Sequence, residues 1–152
     1  MKNLLLKSVM LFFVIAFTTT ACKKEDVVKN ESTNVPATFL DRATEIQDKV
    51  NLSKRTVTLK LWDHGTIDGD IVSVYINGKL VVDEITLDGP SAAFTKSVTL
   101  DFNGYNYILL YAHNEGSISP NTASLEINDG TAHDVSLESD LFTSGVAELV
   151  VN

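Results

Sequence analysis

The pair Asn77-Gly78 most constrains this chain, because it stands between two runs of alternating apolar residues. The tight hairpin turn that matches strand twist needs positive φ at both central positions, and Asn-Gly tolerates that best. Ile71 to Ile76 and the run from Lys79 onward therefore read as paired strands. A two-residue turn sets Ile76 opposite Lys79, Tyr75 opposite Leu80 and Val74 opposite Val81. Both faces of this hairpin carry apolar side chains, so alternation alone does not say which one is core.

The same pattern recurs along the chain. Val57, Leu59 and Leu61 share one face of a strand that begins at Thr56, and Trp62 points the other way, towards a sheet end or edge. Phe94, Val98, Leu100 and Phe102 share another face, interrupted by Lys96, which places that strand near an edge. Tyr105 to Ala112 is apolar at almost every position, as in a strand covered on both sides. Ala123, Leu125 and Ile127 form a further strand, as do Val135 to Leu137 and Ala147 to Val151, with Asn103-Gly104 and Asn128-Asp129-Gly130 as turns. Ser139 to Gly145 reads as a long turn or an edge segment. Thr38 to Leu52 fits two periods. Phe39, Ala43, Ile46 and Val50 have helical spacing, whereas Ile46, Val50 and Leu52 also alternate. No second helix exists for it to pack against, so a strand over about Glu45 to Leu52 is expected. The sum is an all-β chain of about eight strands, a single antiparallel β-sandwich of immunoglobulin-like or jelly-roll-like type over residues 45–152.

The first 21 residues have another character. Lys2 and Lys7 precede an apolar run from Val9 to Phe17 and the small residues Thr18 to Ala21, the pattern of a secretory signal peptide. Cys22 follows, the chain's one cysteine. Ala21-Cys22 resembles the cleavage site of bacterial lipoproteins, with Thr19 where a Leu is usual. That resemblance implies that Cys22 is acylated, with palmitate among its chains, and anchors the protein to the outer membrane. Lys23-Lys24-Glu25-Asp26 resembles the export tag of surface lipoproteins in Bacteroidetes-type bacteria, and a solvated charge run at a tether has the same look. Residues 22–44 are expected to form the tether, whose stretch from Lys23 to Asn34 spans at most about 40 Å.

Charge narrows the partners. The formal charge is −8, and removal of Lys2 and Lys7 with the signal peptide takes it to −10. Acids and bases balance from Cys22 to Lys54, so the folded part carries all of the excess. Such a surface repels nucleic-acid phosphates and anionic headgroups, which leaves neutral glycans, cations and basic proteins.

Trp62 to Val81, with the turn Asp63-His64-Gly65 and then Asp68-Gly69-Asp70, is followed by Tyr111 to Gly130, with Asn114-Glu115-Gly116 and Pro120-Asn121-Thr122-Ala123. Together with Ser139-Asp140-Leu141 these resemble a β-sandwich domain of secreted proteins and lipoproteins in Bacteroidetes-type bacteria. The resemblance covers about Arg55 to Asn152. It implies a sandwich fold and an extracytoplasmic address, often as an appended module, and no particular activity.

Chemistry has few places to sit. Asp63, Asp68 and Asp70 are the candidate calcium ligands, since calcium takes roughly six to eight oxygens and closely spaced loop carboxylates supply them. Asn114 and Glu115 add ligands if the two loops meet. The competing expectation is that these aspartates cap turn amides. His64, His113 and His133 sit near turns, without the spacing of a zinc site. No Gly-x-Ser-x-Gly and no glycine-rich phosphate loop occurs. Glu84, Glu115 and Glu138 are the acids available for a glycosidase pair. Trp62, Tyr75, Tyr105, Tyr107 and Tyr111 stack on sugars if they line one face, and otherwise pack the sheets. Candidate ligand-binding residues are Trp62, Tyr75, His113, Asn114 and Glu115. The expectation is a non-catalytic binding module for an extracellular glycan, with calcium as the candidate ion. The alternatives are an accessory subunit docked on another envelope protein and, third, a small glycan-active enzyme.

Overall fold

A computed structural model describes residues 33–152. The expected signal peptide, Cys22, the expected export tag and the first part of the expected tether lie outside the described residues. Ten strands form, rather than about eight: β1 (Thr38–Phe39), β2 (Arg42–Leu52), β3 (Thr56–Asp63), β4 (Ile71–Ile76), β5 (Lys79–Thr86), β6 (Phe94–Thr99), β7 (Tyr105–Ala112), β8 (Asn121–Asn128), β9 (Ala132–Ser139) and β10 (Thr143–Val151). They make a six-stranded sheet in the order β1-β2-β10-β7-β4-β5 and a four-stranded sheet in the order β6-β3-β8-β9.

The two sheets face each other across one core. Alternation supplies it: Val50 and Leu52, Val72, Val74 and Ile76, Ile108 and Leu110, Ala147 and Leu149 point inward from the larger sheet. Val57, Leu59 and Leu61, Ala123, Leu125 and Ile127, Val135 and Leu137 meet them from the smaller one. Each fully buried Leu or Ile contributes about 1.5–3 kcal/mol relative to an exposed one. The ambiguous stretch before Leu52 is a strand, because β10 offers it an apolar neighbour to pair with over its whole length.

Four expectations need correction. The sandwich is not wholly antiparallel, since β2 and β10 run parallel. Ser139 to Gly145 is not one long turn. β10 already begins at Thr143 and lies between β2 and β7, because its later residues Ala147 and Leu149 complete the core. The sheet also claims the last part of the expected tether. Thr38–Phe39 pairs with Arg42–Ala43, and the Arg42 guanidinium lies 3.8 Å above the Tyr111 ring while donating to the carbonyls of Ala112 and Asp140. Finally, Ile76 and Tyr75 pair with Lys79 and Leu80 as the turn requires, but Val74 faces Val82 instead of Val81. Bulges in the β4–β5 pair shift the register, and Glu84 adopts a positive φ of 40° there.

The outer face of the larger sheet is itself covered in part. Tyr107, Leu109 and Val146 form a second small core under Val35, Phe39, Tyr75 and Tyr111. Thus β7 is buried on both sides. On the open side, Lys96 of edge strand β6 reaches across to the Val81 carbonyl of edge strand β5 at 2.6 Å, joining the two sheets.

Candidate metal centre

One end of the sandwich gathers the connections β1–β2, β3–β4, β5–β6, β7–β8 and β9–β10. The aspartate loop lies there, and alternation explains its geometry. Asp63 continues the inward series Leu59, Leu61 along β3, and Asp70 stands two residues before inward-facing Val72. Both carboxylates therefore point between the sheets, and each residue is only 2% exposed. Gly69, at φ +93°, turns the chain between Asp68 and Asp70. One carboxylate oxygen from each of Asp63, Asp68 and Asp70 lies within 4.8 Å of the other two.

The three are not equally satisfied. Asp68 Oδ2 accepts hydrogen bonds from the amides of Ser117 (2.6 Å) and Ile118 (2.7 Å) and from the Ser117 hydroxyl (3.1 Å). Burial pushes the Asp68 carboxyl up, but these bonds outweigh it and hold it below the usual range. Asp63 Oδ1 accepts from the Gly65 amide at 2.7 Å and the Thr122 hydroxyl at 3.3 Å. Asp70 Oδ2 has only the Thr122 amide, at 3.3 Å. Asp63 Oδ2 and Asp70 Oδ1 are buried without any partner. Burial first, then the charges of Asp68 and Asp63, push the Asp70 carboxyl up to about 6. Turn capping, the competing expectation, accounts for one oxygen of each residue and leaves those two over.

The second loop meets the first, but its residues do other work than expected. Asn114 Oδ1 accepts from the Ile71 amide at 2.7 Å, and its Nδ2 donates to the Gly69 carbonyl at 2.8 Å, so its carboxamide braces the aspartate loop. Glu115 accepts from the Leu141 amide at 3.3 Å. Gly116 has φ +54°, and an added Cβ would overlap the Asp68 carboxylate. Sequence reasoning missed Asn121. It is fully buried, and neither of its carboxamide atoms has a partner. It lies on the inward face of β8, two residues before Ala123, which pairs with Asp63. Its alternation with Ala123, Leu125 and Ile127 was the available signal.

The other candidates do not converge. Tyr75 belongs to an edge-to-face ladder on the outer face of the larger sheet: Phe39 to Tyr75 at 4.7 Å, Tyr75 to Tyr111 at 6.3 Å, Tyr111 to His113 at 5.2 Å. His113 Nε2 is 2.8 Å from the Ser73 hydroxyl. Trp62 lies on the outer face of the smaller sheet, with the Lys60 ammonium 5.2 Å from its ring centroid. Trp62 and Tyr75 thus occupy opposite outer faces and form no common sugar platform. Glu84 on β5 and Glu138 on β9 belong to strands at different edges, and Glu115 to a loop. His133 lies beside Asp129 at 3.5 Å, and His64 is exposed.

No family model matches the chain, and no curated protein or solved structure matches it either. The chemistry of this site therefore rests on the chain's own residues.

Proposed function

We propose that this chain is a lipid-anchored outer-membrane protein whose sandwich is a non-catalytic binding module, cross-braced at one end by calcium. The observation that carries the metal is the pair of buried, unpartnered oxygens, Asp63 Oδ2 and Asp70 Oδ1, within a cluster of three carboxylates. Buried lone pairs without a donor are costly, and a divalent cation meets them while cancelling the mutual repulsion. An all-oxygen set on an irregular loop suits calcium better than zinc or magnesium. The Asn121 side-chain oxygen Oδ1, buried and unpartnered at the same end, is a further candidate ligand.

The test is a melting curve of the full chain with calcium and with excess chelator. Calcium is expected to raise the Tm by several degrees, and Asp70→Asn to abolish that rise while leaving the metal-free protein folded. Identical curves for the wild-type protein in both buffers would remove the metal. For the module's target, the separation of Trp62 from Tyr75 speaks against a stacked glycan, and the apolar side chains exposed at the loop end favour docking on another envelope protein.

A further inference from the structure

The loop end carries a feature that the metal does not use. Of the large hydrophobic side chains that stand exposed, Leu40, Ile67, Ile118, Leu141 and Phe142 all belong to its connections, and Phe142 is 77% exposed. Hydrogen bonds link their connections. The Phe142 carbonyl accepts from the Ala43 amide just past the Leu40–Asp41 turn, the Leu141 amide donates to Glu115, and the Ile118 amide donates to Asp68, next to Ile67. The connections at the other end, residues 53–55, 77–78, 100–104 and 129–131, hold none of the exposed large hydrophobics. Ile46, Leu80 and Tyr105, the other exposed large hydrophobics, lie on strands, whereas these five stand at loop tips where folding does not need them, and such a cluster marks an interaction surface.

Two observations choose its occupant. First, charge: the loop-end connections hold Asp41, Asp68, Asp70, Asp88, Glu115 and Asp140 and no Lys or Arg, and the one basic group beside them, Arg42, is engaged by the Ala112 and Asp140 carbonyls and the Tyr111 ring. An apolar crown studded with acids repels anionic headgroups and a second acidic copy of itself, and it suits basic groups. Second, the position of the tether: Thr33, the first described residue, lies beside Tyr105, Asn106 and Glu148, towards the end away from the crown. In the lipoprotein reading, on which this inference rests, the anchored segment joins the domain at the end away from the crown.

We infer that the crown docks a protein partner that presents aliphatic or aromatic side chains flanked by Lys or Arg. The test uses the full chain carrying Cys22→Ser, which takes no acyl group. It is titrated with a fluorescent peptide alternating Leu or Phe with Lys, and with counterparts that carry Glu for Lys or Ser for the apolar residues. Binding of the first peptide is expected to weaken at least tenfold in Phe142→Ser and in Leu141→Ser, with the Tm and the calcium response unchanged. Both counterparts are expected to bind at least tenfold more weakly than the first. Equal affinity of the variants and the parent would overturn the proposal. So would association with phosphatidylethanolamine–phosphatidylglycerol vesicles, or a concentration-dependent dimer, that Phe142→Ser abolishes. A missing calcium response with intact peptide discrimination would remove the metal and leave this surface standing.

Discussion

Two buried aspartates at opposite ends show how environment decides what a carboxylate does. Asp70 has one long hydrogen bond and two acidic neighbours, and its carboxyl rises to about 6. Asp129 accepts from the Ser53 amide (2.5 Å), the Ser53 hydroxyl (2.8 Å) and the Thr131 amide (3.1 Å). Those bonds, the Ser53 amide foremost, hold its carboxyl well below the usual range and tie the β2–β3 turn to the β8–β9 turn. Asp129→Ala is expected to destabilise by about 2–3 kcal/mol, read from urea unfolding, since it removes charge-assisted bonds and strands their donors. The sign with pH follows. A depressed carboxyl binds its proton less tightly when folded, so its stabilisation is full above the unfolded value near 3.8 and is lost as pH falls towards the folded one. In acid, the gap in stability between wild-type protein and Asp129→Ala should therefore narrow. A gap constant from pH 7 to pH 2.5 would show that the bonds to Ser53 do not depend on the carboxylate charge.

Among the elements, β7 makes the most demanding statement. Its near-continuous apolar run reads from sequence as a strand covered twice, and Ile108 and Leu110 do face the core while Tyr107 and Leu109 face the outer cluster. Leu109→Ala is expected to cost about 2–4 kcal/mol, as much as Leu110→Ala, although a sandwich usually leaves its outer faces wet. A loss below about 1 kcal/mol would mean that Val35 and Phe39 do not seal that face in solution. Local signals made much of this legible: alternation on β3, β4 and β8, the Asn77-Gly78 turn and the edge lysine of β6. Pairings between distant segments were not. Nothing in Thr38 to Leu52 announces a parallel partner near the C-terminus, and the bulges on either side of Val74 leave no local trace in the sequence. In the site, carboxylate spacing pointed to Asp63, Asp68 and Asp70. The bracing role of Asn114 and the burial of Asn121 depend on which loops meet, which spacing does not encode.

For the whole molecule, the lipoprotein proposal raises the question of what would hold it to a membrane. Among the described residues no helix is long and apolar enough to cross one. Residues 33–152 hold seventeen acidic and seven basic side chains, a formal −10, so the surface charge of an anionic leaflet pushes them away. The crown adds a few apolar tips set among carboxylates, too little by itself for stable partition when even one myristoyl chain binds only marginally. Under the lipoprotein reading, attachment therefore falls to the acyl chains at Cys22. Cys22→Ser is expected to move the protein from the membrane pellet to the soluble fraction, while calcium still raises its Tm by the same amount as in the parent. Washing membranes of the parent with high salt or chelator should release nothing, because acyl insertion depends on neither. A Cys22→Ser protein that stays in the pellet until salt is added would instead assign the attachment to charge, and one that resists both washes would assign it to the apolar run from Val9 to Phe17, retained uncleaved.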